Sequence, residues 1–142
     1  MKKLLVPCDG SENALDAVRH AAAEAASAGA AAEIHLVHVI EPMTPVSLFE
    51  ALSAPRLDDR FPPQAAEALE PAIAVLAQAG VAFSLHCLFG QPAPEIAAYA
   101  RAAGCDAVIM GTRGRGAFAN LITGSVATQV VKLVDIPVTL VK

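Results

Sequence analysis

The chain has 142 residues, a length typical of one domain and sufficient to bury a hydrophobic core without disulfides or metal ions. Hydrophobic residues make up 55% and aromatic residues only 4%, which is typical of helices packed on a sheet and unlike a disordered chain. The net charge of −4, without a long run of lysine or arginine, excludes broad binding to nucleic acid and to anionic membrane surfaces.

Short apolar runs alternate with helical patterns along the chain. Ser11 is a good N-cap for the first helix, and Gly29 is its predicted end. The predicted strands are residues 3–7, 34–40, 81–88, 107–110 and 136–141. The later predicted helices are residues 63–79, 92–103 and 125–134.

This βαβαβαβαβ order predicts an α/β fold with parallel strands and helices on both faces. Together with the family resemblance described below, we expect a single doubly wound, five-stranded sheet in the order 3-2-1-4-5. Residues 1–142 are interpreted as a single domain. Five prolines interrupt residues 41–64, which we interpret as a long insert loop of the kind that serves as a lid or a partner surface.

The three cysteines, Cys8, Cys87 and Cys105, are an odd number without CxxC spacing, which favours reduced thiols in the cytoplasm. The apolar run after Met1 is too short for a signal peptide. Residues 71–94 carry no formal charge, but proline and glycine interrupt them, so they are not expected to span a membrane.

A glycine-rich segment follows the fourth predicted strand with the spacing G-x2-G-x9-G-S, formed by Gly111, Gly114, Gly124 and Ser125. Glycines allow a phosphate to approach the backbone, and the N–H groups at the next helix N-terminus favour an anion. Arg113 adds positive charge. The P-loop pattern with its lysine is absent, and the alternative interpretation of the segment is a structural turn with a helix cap.

Other candidate residues have plain structural interpretations. Asp9 is either a ligand contact or part of an Asx-turn before Ser11. The four histidines lack a metal-ligand spacing supported by cysteines or carboxylates, so a zinc site is not expected. Cys8 is either a redox-sensitive thiol or an inert buried one. The sequence contains no evident nucleophile or general base.

The chain resembles the universal stress protein family in its ATP-binding form. The resemblance rests on the G-x2-G-x9-G-S spacing and on residues 6–11, 38–39, 108–114, 121–126 and 136–141. It implies ATP as the ligand, with Mg²⁺ or Mn²⁺ bridging its phosphates. The residues that it implies for nucleotide contact are Pro7, Asp9, Val39, Met110, Gly111, Arg113, Gly114, Gly124, Ser125 and Val126.

The resemblance also implies a homodimer, formed by antiparallel pairing of the edge strand that carries Ile136, Val138 and Leu140. The expected function is that of a stress-response or signalling protein in which ATP regulates conformation or partner binding. One alternative is a slow ATPase or autophosphorylating enzyme. Another is a nucleotide-free interaction or chaperone-like dimer.

Overall fold

The computed structural model describes residues 1–28, 31–41, 61–112 and 125–142, and of Ser125 the backbone alone. Strands and helices alternate along these ranges. The strands are β1 (Lys2–Pro7), β2 (Ala32–Ile40), β3 (Ala82–Phe89), β4 (Ala107–Gly111) and β5 (Val138–Val141). The helices are α1 (Glu12–Ser27), α2 (Pro63–Ala79), α3 (Pro92–Ala103) and α4 (Ser125–Leu133).

All neighbouring strands pair in parallel, in the order β3-β2-β1-β4-β5. The chain therefore builds the sheet outward from β1 to β3, then crosses back to add β4 and β5 on the other side of β1. The predicted α/β fold and strand order are confirmed. The strand order reverses between β1 and β4, which is where open parallel sheets bind their ligands.

Alternating residues of β1 supply two separate cores. Leu4 and Val6 face α1 and α2, whereas Leu5 faces α3 and α4, and all three are fully buried. Since β1 is covered on both faces, its buried residues form a continuous apolar run. Much of the helix side of the first core is alanine, which lets α1 pack closely on the sheet.

The helix ends follow the signals in the sequence. Ser11 caps α1, because its Oγ accepts a hydrogen bond from the Ala14 N–H at 3.1 Å. Proline occupies the first turn of both α2 and α3, and these helices end at Gly80 and Gly104 with φ of 70° and 68°. A left-handed residue of this kind is most easily supplied by glycine.

The last strand differs from its prediction. β5 begins at Val138, two residues later than expected, because Ile136 packs against the α3–α4 core and the Pro137 carbonyl accepts a hydrogen bond from the Val108 N–H at 2.9 Å. The predicted helix end at Gly29 and most of the predicted insert loop lie outside the described residues. Among the described residues, no helix combines the length and apolar character needed to cross a membrane.

Candidate functional site

The candidate site lies at the carboxyl edge of the sheet, where β1 and β4 run side by side. Pro7 ends β1 and Asp9 follows it, while Met110 and Gly111 end β4. Val39 lies near the end of β2, on the other side of β1. The fold therefore brings these five predicted residues to the same edge.

Asp9 begins the turn that leads into α1. Its Oδ1 accepts a hydrogen bond from the Ser11 N–H at 2.9 Å, and Gly10 adopts a φ of 85° between them. The Asx-turn interpretation is therefore correct. The side chain is exposed, and this hydrogen bond orients the Asp9 carboxylate at the edge of the sheet.

The backbone before Asp9 is held on both sides. The Cys8 N–H donates to the Val37 carbonyl at 2.8 Å, and the Cys8 carbonyl lies 2.8 Å from His38 Nδ1. Because a carbonyl only accepts, His38 Nδ1 carries the proton and donates. The Cys8 thiol is buried and points to the Ala68 carbonyl of α2 at 3.7 Å, which places it in the core below the site.

The end of β4 contributes apolar surface and a close packing contact. Met110 is 5% exposed and packs in the core between the sheet and α3 and α4, and Val39 packs against the same core. Both side chains therefore lie on the α3–α4 face, below the edge where a ligand would sit. Thr112 is buried just beyond Gly111, and its N–H donates to the Val141 carbonyl at 3.0 Å.

Helix α4 begins at Ser125, after the segment that follows β4. Its first turn contains no acidic residue, so no negative charge on the helix repels an anion at the N-terminus. Lys132 lies in the last turn, at the other end of the helix. Val126 is half-buried against the α3–α4 core. The other predicted phosphate-binding features, Arg113, Gly114, Gly124 and the Ser125 side chain, lie outside the described residues.

A polar cluster beneath α3 was not predicted from the sequence. Tyr99 Oη of α3 lies 2.7 Å from His35 Nδ1, and Glu33 Oε1 lies 2.9 Å from His35 Nε2 but out of line for a hydrogen bond. His86 stacks on His35 with ring centroids 5.3 Å apart, and its Nε2 bonds Ser84 Oγ at 2.9 Å. The sequence signal that could have indicated this cluster is the alternation of polar with apolar residues in β2 and β3.

Burial controls ionisation in this cluster. Burial, followed by the neighbouring His35, lowers the pKa of His86, while Glu33 opposes the shift. Burial also raises the pKa of Tyr99 to about 12, with contributions from Cys105 and Glu33. Both shifts favour the neutral forms of His86 and Tyr99.

Two other features in the described ranges do not add to the site. No group of three or more histidine, cysteine or acidic side chains there is arranged to hold a metal ion. A cleft of about 180 Å³ is lined by residues of α3 and by those that precede β4 and β5, including Arg101, Cys105 and Asp135. It opens at the amino edge of the sheet, away from Asp9 and Gly111.

Several known proteins are similar to this chain in sequence and fold over its whole length. A universal stress protein from Methanocaldococcus jannaschii is 31% identical over 141 residues, covering 99% of this chain and 82% of the relative. The solved structure of the hypothetical protein MJ0577 is 31% identical, with a TM-score of 0.81 and coverage of 99% of this chain and 95% of that one.

Some structures with the same fold are described as nucleotide complexes. The universal stress protein from Archaeoglobus fulgidus in complex with dAMP is 22% identical, with a TM-score of 0.72 and coverage of 100% of this chain and 98% of that one. A universal stress protein with cAMP and an Arabidopsis thaliana family protein with AMP have TM-scores of 0.73 and 0.70. The family model for universal stress proteins matches residues 1–142, so this chain belongs to the universal stress protein family.

Proposed function

We propose that this protein binds ATP at the carboxyl edge of the sheet, between the β1–α1 turn and the N-terminus of α4. The observation that carries the proposal is the juxtaposition of Asp9 and Gly111 at the point where the strand order reverses. The oriented carboxylate lies on one side of this point, and the strand that leads to the glycine-rich segment ends on the other.

The composition of the edge suits the parts of an adenine nucleotide. The Asp9 carboxylate only accepts hydrogen bonds when ionised, which matches ribose hydroxyls or the adenine amino group. Glycines and a helix N-terminus suit phosphates, so Gly111, Gly114, Gly124, Ser125 and Val126 are the proposed cradle, with Arg113 supplying positive charge. The backbone of Val39 would bind the adenine edge, and Pro7 and Met110 would flank the sugar.

The neighbours with bound nucleotides support an adenine nucleotide as the ligand class. Their ligands are dAMP, cAMP and AMP, which share adenine and one phosphate. The proposal of ATP rests on the G-x2-G-x9-G-S spacing, which by the family resemblance indicates an ATP-binding member. Mg²⁺ or Mn²⁺, which the family resemblance implies, would accompany the triphosphate.

The nucleotide would act as a regulator of this protein. Its phosphates would order residues 111–126, and the insert at residues 41–64 is the proposed surface whose partner contacts respond. We place the protein in the cytoplasm and in a homodimer that pairs the two β5 edges. Leu140 supports the dimer, because it is 38% exposed on this edge strand.

Calorimetric titration with ATP, AMP and cAMP in the presence of Mg²⁺ tests the ligand. ATP is expected to bind, and replacing Gly124 by Trp should abolish binding because the side chain would occupy the phosphate cradle. Cys8→Ala is the matched control and should retain binding, since its thiol points to α2. If neither the wild type nor the Gly124 variant shows a heat of binding on titration with ATP, the proposal is refuted.

Phosphate release separates this binding function from a slow ATPase. The described residues contain no evident general base at the site, so purified protein should release phosphate at a rate no higher than its Ser125→Ala and Asp9→Asn variants. Release that depends on either residue would identify an enzyme. A protein that binds no nucleotide and still forms a dimer would instead support the interaction or chaperone-like alternative.

A further inference from the structure

Asn13, in the first turn of α1, connects three elements at the carboxyl edge. Its Nδ2 donates to the carbonyl of Val141, the last residue of β5, at 3.1 Å. The same carbonyl accepts from the Thr112 N–H at 3.0 Å and lies 3.4 Å from Thr112 Oγ1. One oxygen atom therefore joins α1, β5 and the residue that follows β4.

Gly111 packs directly against the other side of Asn13. A Cβ atom at position 111 would overlap the Asn13 side chain, at Oδ1 and at Cγ (2.8 Å), with the Asn13 backbone oxygen at 3.0 Å. Any side chain at position 111 would therefore require Asn13 to shift. Packing against α1 thus favours glycine at the first position of the G-x2-G spacing, independently of any ligand.

The two contacts place Asn13 between the two sides of the candidate site. Asn13 lies two residues after Ser11, whose N–H orients the Asp9 carboxylate. Asn13 also packs against Gly111. It is linked to Thr112 because both donate to the Val141 carbonyl. The rest of the glycine-rich segment follows Thr112. A movement of the Asn13 side chain would therefore change the position of β4's end relative to Asp9.

We infer that Asn13 is a positioning residue of the nucleotide site: it holds the end of β4 at a fixed distance from the Asp9 turn without touching the nucleotide itself. The inference rests on the proposed function, because it assigns a residue to that same site. The end of β5 has a role as well, because the Val141 carbonyl accepts hydrogen bonds from both Asn13 and Thr112.

The chemistry of the amide makes the role specific. Asn13 needs a donor toward Val141, which its amide nitrogen supplies. An aspartate has the same shape but presents oxygen to the carbonyl, so its ionised form repels the partner. When the carboxyl group is protonated it can donate again, so the effect of Asn13→Asp should diminish as the pH falls to about 4, near the ordinary pKa of an aspartate.

The test compares ATP affinity and urea unfolding for the wild type, Asn13→Ala, Asn13→Asp and Ser27→Ala. Ser27→Ala is the matched control, because it removes one side-chain hydrogen bond to a carbonyl, that of Ala23 at 3.0 Å, from the other end of α1. Asn13→Ala should weaken ATP binding by about 5- to 10-fold, the equivalent of one neutral hydrogen bond. Ser27→Ala should bind within twofold of the wild type.

The Asn13→Asp variant supplies the measurement that a purely structural role would not move. Its dissociation constant, divided by that of the wild type at the same pH, should fall between pH 7 and about 4 as the carboxyl group regains its proton. The pH dependence of ATP binding by Asn13→Asp also tests the role of Asn13 if Asn13→Ala does not fold. Folded variants that bind ATP as tightly as the wild type at every pH would overturn the inference and leave the proposed function intact. A wild type that binds no nucleotide would overturn both.

Discussion

His35 and His86 stack with their ring planes 13° apart and their centroids 5.3 Å apart, beneath Tyr99 of α3. Stacked imidazoles can remain together while both are neutral, but two cations at this distance would repel each other. The pair lies on β2 and β3, and neither histidine is among the proposed nucleotide contacts. The ionisation of His86 therefore reports on the packing of the fold.

Stability should decline in mild acid because of His86. Its pKa is lowered in the folded protein, chiefly by burial, so the unfolded chain takes up this proton first as the pH falls. The contribution of neutral His86 is fully present above its unfolded pKa of about 6.5 and is lost progressively below it. Urea midpoints measured from pH 8 to 5 should fall more steeply in the wild type than in His86→Gln.

His20 provides the control for that experiment. It is half-exposed on α1, next to Glu24, and its ring lies away from the stacked pair. His20→Gln should leave the acid slope of the urea midpoint close to that of the wild type. A His86→Gln variant with the wild-type slope would show that the burial of His86 does not destabilise its protonated form.

Tyr99 should resist deprotonation in the folded protein. Its pKa is raised to about 12, and it is the only tyrosine in a chain without tryptophan, so tyrosinate absorbance reports on this residue alone. The absorbance should rise near pH 12 in native protein and near pH 10 in urea-unfolded protein. Because the raised pKa favours the neutral form, the folded state loses stability as the pH rises above 10.

Circular dichroism recorded during the same titration distinguishes ionisation from unfolding. A tyrosinate transition near pH 10 in protein that keeps its native spectrum would contradict the burial of the Tyr99 hydroxyl against His35. Tyr99→Phe should remove the absorbance change altogether.

The core under α1 and α2 should be sensitive to loss of volume. Leu36 is fully buried on β2, between β1 and β3, and truncation to alanine should cost about 2–5 kcal/mol of unfolding free energy. Leu133→Ala is the control, since that side chain is 44% exposed at the end of α4 and should cost no more than about 0.5 kcal/mol. Urea denaturation of both variants measures the difference, and equal losses would contradict the assigned burial.

The proposed dimer makes a directional prediction about the two edge strands. Leu140→Lys on β5 should shift the protein to a monomer in sedimentation experiments, because two such charges would meet across an antiparallel β5 pair. Ala82→Lys on β3, the opposite edge, should leave the mass unchanged. If the Ala82 variant dissociates and the Leu140 variant does not, the wrong edge has been assigned.

Much of the fold could be predicted because its signals are local. The proline at the start of α3 and Gly104 at its end bound that helix within a dozen residues, and Ser11 marks the start of α1 in the same way. The strand order follows from the alternation of elements together with the family resemblance. The start of β5 was placed too early, because Ile136 has the apolar character of a strand residue and packs in the core before the strand begins.

The contacts that position the candidate site depend on the tertiary structure. Asn13 and Gly111 are 98 positions apart in the chain, and no periodicity relates them. The cluster of Glu33, His35, His86 and Tyr99 likewise joins two strands and a helix that are separated in sequence. Sequence patterns led to the prediction of a site at this edge, whereas the contacts beneath it became visible only in the three-dimensional structure.

The thermal midpoint with and without Mg-ATP shows directly whether the folded protein binds the nucleotide. A ligand at 100 times its dissociation constant stabilises the folded state by about 2.7 kcal/mol, which for a chain of this size raises the midpoint by about 8 °C. We expect a rise of this order in the wild type at millimolar Mg-ATP and none in a variant with Gly124 replaced by Trp. An identical midpoint with and without the nucleotide in the wild type would contradict the account.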